Sequence, residues 1–259
     1  MVQQWLYEQQ LMNKMIQYLT SLGAPRSFYY LCEKLLPWCF IVSLITIGYG
    51  TIAGLWLAPT DYQQGDAYRI IYIHVPCAFL SLLIYMSIAF QSAIFLIWRI
   101  KVADIIAYCA APLGAFFTLG ALITGSLWGK PMWGTWWIWD ARLTSELILL
   151  FLYLGYMGLY NAIPNPRSAA KMCAILAIIG AVDIPIIHYS VYWWNTLHQG
   201  ATLSLTRPSI ATPMLIPLLS MIIGFSFYCL GILCIRIRTQ IIKRENSQQW
   251  VQALLRRSA

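Results

Sequence analysis

Three histidines, a run of tryptophans and two arginines are the residues of this chain whose types and spacing can do chemistry. His74 stands in RIIYIHVPCAF and His188 in IPIIHYSVYWW, each near one end of a long apolar run, and His198 follows in WWNTLHQG. Between the two runs lies WGKPMWGTWWIWDARLTSEL, with Trp128, Trp133, Trp136, Trp137 and Trp139 within twelve residues and Asp140 directly after them. If the middle of this segment is helical, Trp133, Trp136, Trp137 and Asp140 fall on one face and form an aromatic shelf. An interfacial belt accounts for one or two such tryptophans. Five, joined by Trp193 and Trp194, offer more flat π surface than anchoring needs, and such surface binds planar aromatic ligands by offset stacking.

A single histidine inside a membrane is usually a polar group bonded to a neighbouring helix. His74 and His188 enter from different helices at matched depth beside the shelf, which favours ligation of one metal from opposite faces, as in six-coordinate haem. A structural zinc would need four ligands. Pro76 removes a backbone donor two residues after His74 and bends the helix, opening room beside the imidazole. His198 reads as a surface residue of a loop or a reserve ligand. Arg69 and Arg142 are the candidates for pairing with haem propionates, although anchoring at the membrane boundary suits both equally well. Cys77 shares the face of His74, where packing is the favoured role. The chain has no Cys-x-x-Cys-His run, so c-type attachment is not expected and the haem would be non-covalent haem b.

The elements that must position these groups follow from composition. Of 259 residues, 60% are hydrophobic and 10% charged, and the mean hydropathy is +0.65. Lipid is therefore the expected solvent, and runs near 35–58, 70–98, 105–127, 144–163, 172–190 and 212–235 are each long enough to cross a membrane. The fold class is all-α, a polytopic membrane protein with six transmembrane helices. Arg69, Lys130, Arg142 and Arg207 fall on one side, and the other thirteen of the seventeen basic residues fall on the side of the termini. The positive-inside rule puts both termini in the cytoplasm and the tryptophan segment on the outer face. The charge of +8 thus follows topology and does not imply nucleic acid.

Residues 1–33 read as a cytoplasmic N-terminal segment without signal-peptide features, its start a weakly amphipathic helix near the membrane. Residues 34–237 form the six-helix membrane domain, with the tryptophan segment at 128–145, and 238–259 a basic cytoplasmic tail. The seven cysteines lie in or beside spans and imply no disulfide framework. Asp183 is the one charged residue expected deep in a span, where it needs a proton or a partner. No P-loop and no nucleophile–base–acid constellation is found, so an ordinary enzyme is not expected.

WGTWWIWDARLTSEL resembles the tryptophan-rich WWD signature of haem-handling proteins, and HVP together with IIHYSVYWWNTLHQG is similar to the CcmC branch, the haem exporter protein C family of bacterial cytochrome c maturation. The similarity extends from about Pro25 through the sixth span, leaving the first thirty or so residues ahead of it. It implies haem held at the periplasmic surface of the inner membrane, with His74 and His188 as axial ligands. Trp133, Trp136, Trp137, Trp139 and Asp140 would form the platform against the macrocycle. The implied role is delivery of haem to a CcmE-type chaperone, with CcmA- and CcmB-type transporter subunits, a small CcmD-type protein and membrane lipid as partners. A permease moving haem through its own spans, or a scaffold for the maturation complex, are the alternatives.

Overall fold

The computed structural model of the chain describes residues 5, 23–194, 196–198 and 210–258. The expected amphipathic helix at the start of the chain lies outside them, apart from Trp5.

Among the described residues, six helical segments are long and apolar enough to cross a membrane, as expected. Helix α1, Pro25–Ile52, opens on a proline, which has no N–H to leave unpaired in a first turn. It widens into a π turn, Ala53–Leu57. A 3-10 turn, Asp66–Ile70, leads into α2, Ile71–Trp98. Helix α3 covers Lys101–Trp133 and α4 Ala141–Ala162. The fifth span is divided into α5, Pro166–Gly180, and α6, Asp183–Trp193. Helix α7 covers Thr212–Arg244, and α8 is the short Gln249–Ser258. Among the described residues there is no β-strand, only an isolated bridge between Asp61 and Gly65.

The helices outrun the apolar stretches. The 33 residues of α3 make a rod about 50 Å long, against a hydrocarbon core of about 30 Å, so its last turns carry Trp128 and Trp133 beyond the apolar stretch. The division of the fifth span has a local cause: Pro185 cannot donate to the carbonyl of Ala181, and its ring crowds that carbonyl. Asp183 sits at this break, buried, with Oδ2 lacking a partner among the described residues.

Small residues let the helices approach closely, as van der Waals association in lipid requires. Helix α1 packs on α7 and α2 on α3. Ala107, Ala110, Ala111 and Ala121 of α3 join Tyr85 and Tyr153 in the main core. Gly114 faces the Tyr153 ring so closely that a Cβ there would overlap it. All seven cysteines are buried and free. Cys77 packs as expected, its sulfur 3.2 Å from where a side chain on Gly120 would begin.

Three expectations need correction. The tryptophan segment is not one helical face, because α3 stops at Trp133 and the stretch to Asp140 is not helical. The C-terminal stretch is no separate tail: α7 runs unbroken past residue 237, and α8 folds back to bury Val251 and set Trp250 against Tyr29. Asp183 is not the only buried acid in the spans. Asp104 is buried at the start of α3, paired with Arg244 and Tyr160, and Glu146 is buried in α4, accepting from Ser81 at 2.8 Å.

Candidate functional site

The site is built where three irregular stretches meet the ends of the helices. Pro131 and Gly134 end α3: the proline cannot donate to Leu127, and Gly134 adopts φ 76°, a left-handed cap whose N–H bonds Lys130 O at 3.0 Å. Thr135 then holds a tight turn through Trp137. Asp140 closes the segment as the N-cap of α4, its Oδ1 accepting from Leu143 N–H at 2.8 Å. In the stretch after α1, Asp61 Oδ1 accepts from the N–H groups of Gln63 and Gln64, and Gly65 turns the chain at φ 57°. This brings Gln64 Oε1 to the indole N–H of Trp128, 3.0 Å away.

Between these stretches lies a cavity of about 540 Å³, within the size range of small-molecule sites. His74, Gly125, Trp128, Trp133, Arg142 and His198 are among the residues that line it. Gly125 makes the room: a Cβ there would stand 3.2 Å from His74 Cε1. The Trp128 ring meets the His74 ring edge to face at 5.6 Å, and Trp133 meets His198 in the same way at 4.7 Å.

Hydrogen-bond accounting fixes both imidazoles. Thr124 Oγ1 donates its one proton along its own helix to Gly120 O at 2.6 Å, so it accepts from His74 Nδ1–H at 3.0 Å. His198 Nδ1 lies 3.0 Å from Asp140 Oδ2. The Thr196 hydroxyl also donates to Asp140, and its oxygen accepts from the His198 backbone N–H at 3.1 Å. The proton on His198 therefore also sits on Nδ1. With the proton on Nδ1, the lone pair of each ring is on Nε2, the arrangement a metal ligand requires.

Electrostatics agree with this assignment. Burial pushes the His198 imidazole below its ordinary value; the Asp140 bond opposes this and Arg142 adds to it, so the ring is neutral at neutral pH. Burial alone would raise the Asp140 carboxyl, but bonds from Thr196, Leu143 and His198 outweigh it and hold the group below the usual carboxylate range.

The arginines separate clearly. Arg142 faces the cavity, and its guanidinium makes no hydrogen bond among the described residues. Arg69 does not line it: Nη1 donates to Gly54 O at 2.7 Å, Nη2 to Ala58 O at 3.0 Å and Nε to Asp66 at 3.0 Å. It staples the frayed end of α1 to the following turn. Lys130 is turned away to Gly134 O, with Trp136 beneath it.

The tryptophans also divide. Trp128 and Trp133 line the cavity, whereas Trp136 is 55% and Trp139 75% exposed outside it. Trp137 lies edge-on to Trp139, its indole N–H buried and unpartnered among the described residues. His188 is not among the cavity residues; it is exposed on α6 beside Tyr189, which stacks on Trp193. The histidine that shares the cavity with His74 is His198, read from sequence as a surface residue or reserve ligand. Its signal was a carboxylate partner, Asp140, but no spacing rule joins residues 58 positions apart.

Fold and site together define a polytopic helical membrane protein with a cavity at one end, walled by indoles and lined by two imidazoles and a guanidinium. Residues 18–252 match the family model for haem exporter protein C, CcmC, and the chain belongs to that family. It is 47% identical over 241 residues to haem exporter protein C of Haemophilus influenzae, covering 93% of this chain and 98% of the relative. The Escherichia coli K12 protein of the same name is 48% identical over 237 residues, covering 92% and 96%. A ccmC-like mitochondrial protein of Marchantia polymorpha, named for cytochrome c biosynthesis, is 44% identical over 223 residues, covering 84% and 93%.

Proposed function

We propose that this protein handles haem for cytochrome c maturation, holding non-covalent haem b in the cavity with His74 and His198 as its axial ligands. The observation that carries the proposal is the convergence of two imidazoles, each held through Nδ1, on one cavity walled by Trp128 and Trp133. Family membership and the names of the relatives support haem as the ligand.

Each residue then has a physical task. Trp128 and Trp133 present ring surface to a planar macrocycle. Arg142 pairs with a propionate, since it is the cavity's unbonded cation among the described residues. Asp140 orients His198 and Thr124 orients His74. Trp136, Trp137 and Trp139 form an aromatic apron outside the cavity, toward which the haem edge is offered to an acceptor. Arg69 acts through the fold, and His188 is outside the ligand set.

The acceptor is a CcmE-type haem chaperone, and the protein works in an assembly with CcmA- and CcmB-type transporter subunits and a CcmD-type subunit. The basic residues crowd onto the side of the termini, which supports a cavity opening on the periplasmic face of the inner membrane. The protein supplies position and electrostatics, and the bond-making chemistry belongs to haem and chaperone. Co-expression with a CcmE-type chaperone tests this. Wild type should yield haem covalently bound to the chaperone, and His74→Ala or His198→Ala should abolish it. Undiminished chaperone haem in both variants would overturn the proposal.

A further inference from the structure

The two imidazoles are alike in tautomer and unlike in what stands behind them. His198 Nδ1–H meets a carboxylate oxygen of Asp140 at 3.0 Å, on a side chain only 6% exposed. His74 Nδ1–H meets the neutral hydroxyl of Thr124, itself bonded to Gly120 O. A bond to an ionised acceptor is roughly twice as strong as one between neutral groups. A carboxylate behind an imidazole also raises the basicity of the nitrogen that faces the metal. The placement differs as well: His74 belongs to the first turns of the spanning helix α2, whereas His198 belongs to a stretch outside the helices.

We propose that the ligand pair is asymmetric by construction, with His74 the exchangeable ligand and His198 the retained one. The inference rests on the reading that haem iron lies between these two histidines. In the exchange, the coordinate bond from iron to His74 Nε2 breaks and the neutral imidazole leaves with its lone pair. A neutral donor from outside forms the replacing bond, and the iron keeps its oxidation state. Haem then remains on His198 and is freed first from the membrane-embedded side, so it leaves the cavity outward on the ligand nearer the surface. Thr124 is a positioning residue that aims His74 without strengthening it, and Asp140 both aims and strengthens His198.

Carbon monoxide on the dithionite-reduced, full-length protein reads this directly, because it takes one axial position and its C–O stretching frequency reports the donor strength of the ligand left opposite. Asp140→Asn keeps an N-cap residue and removes the charge; Thr124→Val removes the hydroxyl at nearly constant shape. The expected result is a shifted C–O frequency in Asp140→Asn and the wild-type frequency in Thr124→Val. A shift in Thr124→Val with none in Asp140→Asn means that His198 is displaced, and overturns the proposal. Equal shifts in both, or in neither, overturn it too. His74→Gly provides a check independent of those folds: its carbon monoxide adduct should match the wild-type frequency, and that of His198→Gly should not. Absence of a six-coordinate low-spin spectrum in the wild type before carbon monoxide is added would instead refute the two-histidine site itself.

Discussion

Asp140 accepts from His198 Nδ1 at 3.0 Å with one oxygen and from the first turn of α4 with the other. One carboxylate thereby starts a spanning helix and holds a histidine from a separate stretch over the cavity. Asp140→Ala removes both functions. Loss of the cap should cost about 1 kcal/mol, seen as a modest fall in thermal midpoint in detergent, while bound haem falls severalfold more than Asp140→Asn allows. Equal haem retention in Asp140→Ala and wild type would contradict the orienting role.

Arg69 and Arg142 should fail in different ways. Arg69→Gln breaks bonds to Gly54 O and Ala58 O, each worth about 1.5–3 kcal/mol as a bond to a charged donor, and should lower the thermal midpoint. Arg142→Gln should leave the midpoint nearly unchanged and weaken haem retention through gel filtration. The opposite pattern would reverse their assignments.

Gly125 tests the cavity itself. Its missing side chain leaves the space beside His74 Cε1, so Gly125→Val should displace the imidazole and lower haem content in a protein that still elutes as a folded species. Haem content measured by pyridine haemochrome at wild-type level would show that the cavity is not the haem site.

Acid should remove haem by protonating His198. The imidazole of the folded, haem-free protein lies below its ordinary 6.5, so between these values the unfolded chain binds more protons, and the favourable contribution of the neutral ring is complete above 6.5 and lost as pH falls through the depressed value. Haem release followed optically should therefore have its midpoint below 6.5. A midpoint above it would contradict a depressed His198.

The sequence made the fold legible because lipid imposes a simple length-and-polarity rule, and all six spans were found by it. Residues within one segment were also legible: His74, Trp128, Trp133 and Arg142 all reach the cavity. Errors arose where the chain departs from regular structure. The helical face expected for Trp133 to Asp140 ignored Pro131 and Gly134, which end α3. His188 is at the depth read from the sequence, but depth along a helix does not fix which way a side chain faces, and it is exposed on α6 outside the cavity. The place of His198 at the cavity is not legible because its partner Asp140 is distant in sequence, nor is the burial of Glu146, because its partner Ser81 lies on another helix.

The most direct measurement is the optical spectrum of haem bound to purified His74→Ala, His188→Ala and His198→Ala proteins beside wild type. His74→Ala and His198→Ala should each lose the six-coordinate low-spin signature, while His188→Ala keeps it unchanged. Loss of that signature in His188→Ala with retention in His198→Ala would contradict the site described here.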